Sequence, residues 1–303
     1  MRRATSDPEA VPSVQDAVMS WYGSARRDLP WREPGCSAWG VLVSEVMLQQ
    51  TPVVRVLPAW EAWLTRWPTP AALASEAPGE AVAAWARLGY PRRALRLHAA
   101  AVACVERHGG RVPEMYGELL ALPGVGDYTV AAVAAFAFRQ RQVVLDTNVR
   151  RVLARLVAGV EFERPGAPTV AERRRAEELL PEDPETSATW NVAVMELGAL
   201  ICTARSPRCD LCPVATRCAW RLAGSPPWDG PVRRGQTYEG TDRQVRGRLL
   251  AVLRASDGAV PIAALDAVGG DDVQRARALD GLVADGLVEP VGAAEFRLPG
   301  RGA

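Results

Sequence analysis

Apolar residues recur every three to four positions through most of the chain, and prolines and glycines interrupt the pattern at intervals. Runs that alternate apolar and polar residues are few between residues 14 and 222. A period near 3.6 residues places apolar side chains on one face of an α-helix, whereas alternation indicates a strand. The pattern therefore predicts a mainly helical region over residues 14–222.

The pattern changes towards the C-terminus. Residues 223–242 are rich in proline and glycine and read as a linker. Residues 243–303 contain three helix-period runs and then two short strand-like runs, LVEPV and AEFRLP. This order resembles a winged helix, a small α+β module. Between residues 241 and 303 there are eight arginines and nine acidic residues, so we expect weak phosphate binding by the module itself. We expect it to pack on the rest of the chain or on a partner.

Length and composition set broad limits. A chain of 303 residues with 48% hydrophobic residues can bury a sizeable core, and it predicts two or three domains. We expect a soluble cytoplasmic protein, because no apolar run reaches membrane-spanning length and the N-terminus lacks a signal-peptide pattern. The formal net charge of +1 gives no global indication of nucleic-acid binding. Any binding of nucleic acid would therefore depend on local clusters of positive charge.

All 36 basic residues are arginine, and lysine is absent from the chain. Schiff-base catalysis needs an amine that can become neutral and nucleophilic, and a guanidinium cannot do so. Only the N-terminal amine could take that role. The composition therefore excludes chemistry that depends on a lysine side chain.

Four of the six cysteines lie in one short segment, CTARSPRCDLCPVATRC. Disulfides are rare in large cytoplasmic proteins, and zinc sites usually have two short Cys-x-x-Cys pairs rather than one pair with two longer arms. Four thiolates on one loop suit a compact iron–sulfur cubane. The spacing favours a [4Fe–4S] cluster over zinc, with the ligands Cys202, Cys209, Cys212 and Cys218.

The same region is basic. Nine arginines and four acidic residues lie between residues 201 and 248. A solvated, mixed surface is the alternative interpretation, but a basic loop fixed by a rigid cluster also suits DNA phosphates. Arg205 and Arg208 are the candidate contacts within the loop.

The stretch LPGVGDYT has two glycines just before an apolar helical run. Glycines let backbone amides approach a ligand without obstruction by Cβ, and the following helix adds its partly positive N-terminus. A DNA phosphate fits such a site, although a glycine pair alone is usually only a turn. The candidate DNA-binding residues are Leu122, Gly124, Val125 and Gly126.

This hairpin, an aspartate about twenty residues later and the cysteine loop together resemble the helix-hairpin-helix DNA glycosylases of the endonuclease III superfamily. Within it, DLPWR, SEVMLQQT and LGY are similar to the MutY-type adenine DNA glycosylases. The resemblance covers roughly residues 14–222. It implies a mainly α, two-lobed fold with a [4Fe–4S] cluster loop: a barrel lobe over residues 30–147 and a cluster lobe of residues 1–29 and 148–222.

The resemblance also implies an activity. It is base-excision repair, in which adenine mispaired with 8-oxoguanine or guanine is cut from duplex DNA by hydrolysis of its N-glycosidic bond. Tyr128 stands where endonuclease III carries a catalytic lysine, which implies an enzyme without strand-cleaving lyase activity. The expected partner is double-stranded DNA, and we expect a nucleoid-associated monomer that contacts no membrane.

Two carboxyl groups suit this reaction, one to protonate the leaving base and one to stabilise the sugar cation. Glu45 lies in an apolar helical run, where desolvation should raise its pKa, so we assign it as the general acid. Asp146 begins a helix whose N-terminus favours the ionised form, so it should stabilise the cation. The alternatives are an arginine-paired glutamate and an ordinary N-cap. By resemblance, Tyr128 and Asn148 assist Asp146.

The scissile bond is hidden in a duplex, so the base must be extruded and the gap filled. By resemblance, Gln49, Gln50 and Tyr90 are the wedge and probe residues at the lesion. The residues expected to line the adenine pocket are Arg27, Trp31, Arg32 and Leu48.

Two other functions compete with adenine excision. One is removal of thymine from G·T mismatches, because related glycosylases differ mainly in pocket shape. The other is a non-catalytic iron–sulfur DNA-binding regulator. Glu45 and Asp146 argue against the regulator, and SEVMLQQT favours adenine over thymine.

Overall fold

The computed structural model describes residues 13–231, 238–269 and 271–302. These residues form two compact units, one of residues 13–28 and 134–231 and the other of residues 29–133, 238–269 and 271–302. Residues 1–12 of the predicted cluster lobe and residues 232–237 of the predicted linker lie outside the described residues. The lobe and linker boundaries given above stay predictions.

Helices dominate the described residues, as the periodicity predicts. In chain order they are α1 (Val14–Ala25), α2 (Ala38–Leu48), α3 (Val53–Arg66), α4 (Pro70–Ala74), α5 (Pro78–Ala84), α6 (Arg92–His108), α7 (Tyr116–Leu120), α8 (Asp127–Phe138), α9 (Thr147–Leu153), α10 (Val170–Glu178), α11 (Pro184–Leu200), α12 (Ala219–Leu222), α13 (Asp242–Arg254), α14 (Ile262–Asp266) and α15 (Asp272–Ala284).

The first unit is built around α1, α9 and α11. Ser13 and Asp16 form a capping box that starts α1, and the Asp183 side chain caps α11 ahead of Pro184. Apolar residues of the three helices form one buried cluster, against which three of the four clustered cysteines also pack. The cysteine loop that follows α11 is therefore attached directly to a packed core.

The second unit contains α2 to α7 and the start of α8. The Ser37 hydroxyl accepts from the Gly40 amide and so caps α2. Trp63 packs edge-on against Trp67 and Trp85, and all three are almost fully buried. Such aromatic packing gives the elements that carry the candidate site a rigid support.

The C-terminal residues of the second unit form the predicted α+β module. Helices α13, α14 and α15 accompany an antiparallel sheet of β1 (Val260–Pro261), β2 (Glu289–Val291) and β3 (Glu295–Arg297), in the order β1-β3-β2. The sequence predicts β2 and β3 but not β1, because two residues are too short to show alternation.

The module packs on α5. The Gly79 amide donates to the Pro299 carbonyl at 2.7 Å. A Cβ on Gly79 would lie 2.7 Å from that oxygen, so this backbone approach requires glycine. The sequence left open whether the module packs on the rest of the chain or on a partner. In the structure it packs on the rest of the chain.

No helix among the described residues combines the length and the apolar character needed to cross a membrane.

Candidate active site

Glu45 lies on α2, a helix in which most side chains are buried, and is itself 5% exposed. Its Oε2 atom accepts a hydrogen bond of 2.9 Å from the hydroxyl of Tyr128 on α8. The structure therefore brings together two of the predicted catalytic residues, although the sequence pattern gives no sign of their direct contact. The hydroxyl fixes the orientation of a carboxyl group that sits in apolar surroundings.

Asp146 is the N-cap of α9. One carboxylate oxygen accepts from the Val149 amide at 2.6 Å, and the other accepts from the Asn148 side chain at 2.7 Å. Burial raises the pKa of Asp146, while these hydrogen bonds and nearby Arg151 oppose the rise. Desolvation is the largest of these effects, so the net shift of the pKa is upward, and the hydrogen bonds at the helix N-terminus reduce it without reversing it. Asn148, which the resemblance predicts to assist Asp146, donates to it directly.

Arg151 is a site residue that the sequence motifs do not indicate. Its guanidinium donates to the Asn148 side-chain oxygen at 2.8 Å and to the Cys202 carbonyl at 2.7 Å. Gly198 allows this arrangement, because a Cβ there would lie 2.7 Å from the Asn148 Cβ. One buried cation thus connects the cap of α9 with the first residue of the cysteine loop.

Arg155 is a second buried cation that contacts the start of the cysteine loop. It is 1% exposed, and its guanidinium lies over the rings of Trp220 and Phe162 at 4.7 and 5.3 Å. It donates to the Thr203 carbonyl at 2.8 Å and to the Cys202 sulfur at 3.4 Å. A cation buried this deeply is stabilised by rings and carbonyls together, and it favours negative charge on the sulfur.

The four cysteines of the loop are free and partly buried. Burial, and to a lesser extent the charges of the other three loop cysteines, raises the pKa of the Cys212 thiol to about 11. Cys202, Cys212 and Cys218 pack against the same buried cluster. Within the described residues, no three His, Cys, Asp or Glu side chains are arranged to hold one metal ion. A cubane has four irons, each with its own thiolate, so its ligands surround a cluster. The donor set fits a [4Fe–4S] group.

The hairpin joins α7 to α8, and α8 begins directly after the glycine pair, where the apolar run predicts a helix. Gly124 has a φ of 78°, in the left-handed region, and a Cβ there would lie 2.6 Å from the Cβ of Arg96. Gly126 has open space around its Cα. The Leu122 and Val125 side chains are buried, 3% and 8% exposed, so only their backbones can serve the predicted DNA contact.

The predicted wedge and probe residues lie on two exposed turns. Gln50 and Tyr90 have φ angles of 56° and 47°, which L-residues adopt only when their surroundings impose them. Arg93 joins the two turns, because it donates to the Gln49 carbonyl at 2.6 Å and to the Gly89 carbonyl at 3.1 Å. The Gln49 side chain itself lies 3.4 Å from the Thr129 hydroxyl.

The residues predicted to line the adenine pocket have separate environments. Arg27 forms two hydrogen bonds of 2.7 Å with the carboxylate of Glu196, which is fully buried. Trp31 is buried with its ring edge-on to Trp60, while Arg32 and Leu48 are partly exposed. In the cysteine loop, Arg205 and Arg208 are exposed, and Arg208 donates to the Leu200 carbonyl.

The chain matches two protein-family models and a solved structure of a DNA glycosylase. Residues 43–176 match the model of the HhH-GPD superfamily base excision DNA repair proteins, and residues 202–218 match that of the iron–sulfur binding domain of endonuclease III. The solved structure of a thermostable thymine-DNA glycosylase matches with a TM-score of 0.63 at 27% identity, over 69% of this chain and 95% of that one. The predicted fold class and the [4Fe–4S] cofactor are confirmed.

Curated relatives match over nearly the whole chain. An adenine DNA glycosylase of Mycobacterium tuberculosis (strain CDC 1551 / Oshkosh) is 55% identical over 288 residues, which cover 94% of this chain and 93% of the relative. An adenine DNA glycosylase of Mycolicibacterium smegmatis is 53% identical over 287 residues, 94% of this chain and 96% of that one. The family suggested by the hairpin, SEVMLQQT and the cysteine loop is therefore confirmed, and the chain belongs to the adenine DNA glycosylases.

Proposed function

We propose that the chain excises adenine that lies opposite 8-oxoguanine or guanine in duplex DNA. As an adenine DNA glycosylase it is a base-excision repair enzyme, binds DNA and breaks an N-glycosidic bond. The observation that carries the chemistry is the buried Glu45 carboxyl held by the Tyr128 hydroxyl at 2.9 Å. The choice of mispair rests on the resemblance of the two exposed turns to a lesion-reading wedge.

Glu45 acts as the general acid. Departure of adenine places negative charge on the base, and a positioned proton donor lowers the cost of that charge. Desolvation favours the protonated form of a buried carboxylic acid, and the Tyr128 hydroxyl keeps the group in one orientation. After the base has left, the resulting Glu45 carboxylate accepts a proton from the attacking water.

Asp146 stabilises the positive charge that develops on the sugar. Its carboxylate is fixed by the Val149 amide and by Asn148, which in turn is fixed by Arg151. A pre-oriented carboxylate needs no reorganisation when the cation forms, and such preorganisation is usually the largest electrostatic contribution to catalysis. Asp146 therefore serves both as a helix cap and as the anionic partner of the cation.

The [4Fe–4S] cluster fits the four cysteines and supplies structural organisation of the loop rather than chemistry at the sugar. Its ligands follow α11 directly, and Arg151 and Arg155 hold the adjacent backbone. The loop thereby displays Arg205 and Arg208 to solvent for phosphate contacts.

Single-turnover excision assays on duplexes containing 8-oxoG·A, G·A and G·T test the proposal. We expect adenine release from the first two and the fastest release opposite 8-oxoguanine. The match to a thymine-DNA glycosylase structure supports the second candidate, thymine excision from G·T. Release of thymine without release of adenine would refute our proposal.

A further inference from the structure

Residues 86–90, which we call the Tyr90 turn, are held by side-chain donors at four successive carbonyls. The donor side chains are Arg254 for Ala86, Arg55 for Arg87, Thr51 for Leu88, and Trp85 with Arg93 for Gly89. Each carbonyl has a fixed partner, so the course of the turn is defined by its surroundings rather than by its own sequence.

The turn also contains two residues in an unfavourable conformation. Ala86 and Tyr90 have φ angles of 46° and 47°. An L-residue in this region brings its Cβ close to its own backbone, so neighbouring contacts must compensate. Tyr90 is 48% exposed, and the Arg93 guanidinium lies 5.6 Å from its ring. The carbonyl contacts fix the backbone that carries the exposed ring.

One of these contacts comes from the C-terminal module. Arg254 is the last residue of α13, and its Nε atom donates to the Val82 carbonyl at 2.9 Å while Nη1 donates to the Ala86 carbonyl. Burial lowers the pKa of this guanidinium to about 10, so it stays charged at neutral pH. Two carbonyls four residues apart are bridged by a single cation, which fixes the end of α5 relative to the turn.

Further contacts keep Arg254 in register. Arg301 forms an ion pair of 2.7 Å with Glu80 on α5 and also donates to the Ser256 carbonyl at 3.1 Å. The Gly79 amide donates to the Pro299 carbonyl, also near the start of α5. The module therefore contacts the start of α5 through its last residues and the end of α5 through Arg254.

We propose that the C-terminal module is a positioning element for the Tyr90 turn, and that it supports discrimination of 8-oxoguanine from guanine without touching DNA itself. This rests on the proposed function, in which Tyr90 probes the lesion. Such positioning gives a nearly neutral module a function that needs no phosphate binding.

The test uses the full-length chain. Arg254→Met removes both hydrogen bonds but keeps the stem of the side chain. Arg297→Met is the matched control, because Arg297 bonds to Glu289 and Gly302 inside the module. We expect the ratio of single-turnover rates on 8-oxoG·A and G·A to fall about tenfold in the first variant, a size typical of losing hydrogen bonds to a charged donor, and to stay unchanged in the control.

A double-mutant cycle separates positioning from general destabilisation. If Arg254 acts through Tyr90, then Arg254→Met combined with Tyr90→Ala should discriminate no worse than Tyr90→Ala alone. The proposal is overturned if the double variant loses discrimination by the product of the two single losses. It is also overturned if Arg254→Met leaves the ratio of rates on 8-oxoG·A and G·A unchanged. Hydrogen exchange of the amides of residues 86–90 gives a second readout, and we expect it to accelerate in Arg254→Met only.

Gly79→Ala covers the case in which Arg254→Met fails to fold. Alanine favours the helix more than glycine does, yet its Cβ forces the Pro299 carbonyl away. In this variant we expect faster hydrogen exchange in residues 86–90 and a lower ratio of excision rates on 8-oxoG·A and G·A, with the rest of the unit intact. Unchanged exchange in the folded variant would overturn the proposal. If the wild type excises adenine from neither duplex, the proposed function fails, while the exchange data still decide whether the module positions the turn.

Discussion

Two alanine substitutions in the hairpin should separate a glycine needed for folding from one needed for DNA. In Gly124→Ala, the left-handed φ of 78° becomes unfavourable, which costs about 1–2 kcal/mol. The new Cβ would also lie 2.6 Å from the Arg96 Cβ, an atom attached to the α6 backbone that cannot rotate away. Overpacking of this kind adds about 1–3 kcal/mol.

Together these effects give a loss of roughly 2–5 kcal/mol, equivalent to about 5–15 °C in the unfolding midpoint for a domain of this size. Gly126→Ala meets nothing within 4 Å and has no such φ, so its midpoint should change by only about 1–2 °C. Its Cβ does project from the surface where a phosphate would approach the amides. We therefore expect weaker DNA binding from Gly126→Ala at nearly unchanged stability.

The assays are thermal unfolding and titration with a labelled 8-oxoG·A duplex at two salt concentrations. Fewer phosphate contacts should lower the salt dependence of binding in Gly126→Ala. Two results would refute the reasoning. Unchanged stability of Gly124→Ala would show that the close approach to Arg96 relaxes freely, and unchanged affinity of Gly126→Ala would show that DNA does not approach the hairpin amides.

Three further predictions concern chemistry and cofactor. Glu45→Gln keeps the shape of the buried side chain but lacks a transferable proton, so excision in single-turnover assays should fall by several orders of magnitude while duplex affinity is retained; near-normal turnover would exclude Glu45 as the acid. The product should be an intact abasic site that breaks only with alkali or heat, because the chain has no lysine. Efficient borohydride trapping that survives blocking of the N-terminal amine would contradict this. Cys209→Ser should lower iron content, visible absorbance and DNA affinity together, and unchanged iron content with full visible absorbance would show that Cys209 is not a ligand.

The features that the sequence predicts well are those that repeat or follow a fixed spacing. The 3.6-residue period predicts the helical architecture, and the glycine pair followed by an apolar run indicates the start of α8. The spacing of Cys202, Cys209, Cys212 and Cys218 indicates the cluster because all four ligands lie on one local segment. A local sequence pattern is sufficient to predict a feature whose residues all lie close together in the sequence.

The features that the sequence does not predict depend on contacts between distant residues. Tyr128 reaches Glu45 across 83 positions, and Arg254 reaches Val82 across 172. Among 36 arginines, nothing in the local sequence marks Arg93, Arg151 or Arg155 as buried cations. The upward shift of the Asp146 pKa could not be predicted for a related reason, because burial depends on what packs around the cap and not on the cap itself.

The exclusive use of arginine has a consequence for the enzyme in alkaline surroundings. Burial lowers the pKa of Arg93 and of Arg254 to about 10, so both side chains remain cationic well above neutral pH. A lysine begins near 10.4, and a similar burial would bring its pKa towards neutrality, where it would lose its charge. The cations that hold the turns of Gln49 and Tyr90 therefore keep their charge across the neutral pH range. Exchange of either arginine for lysine, although nominally conservative, would make these backbone contacts depend on proton concentration.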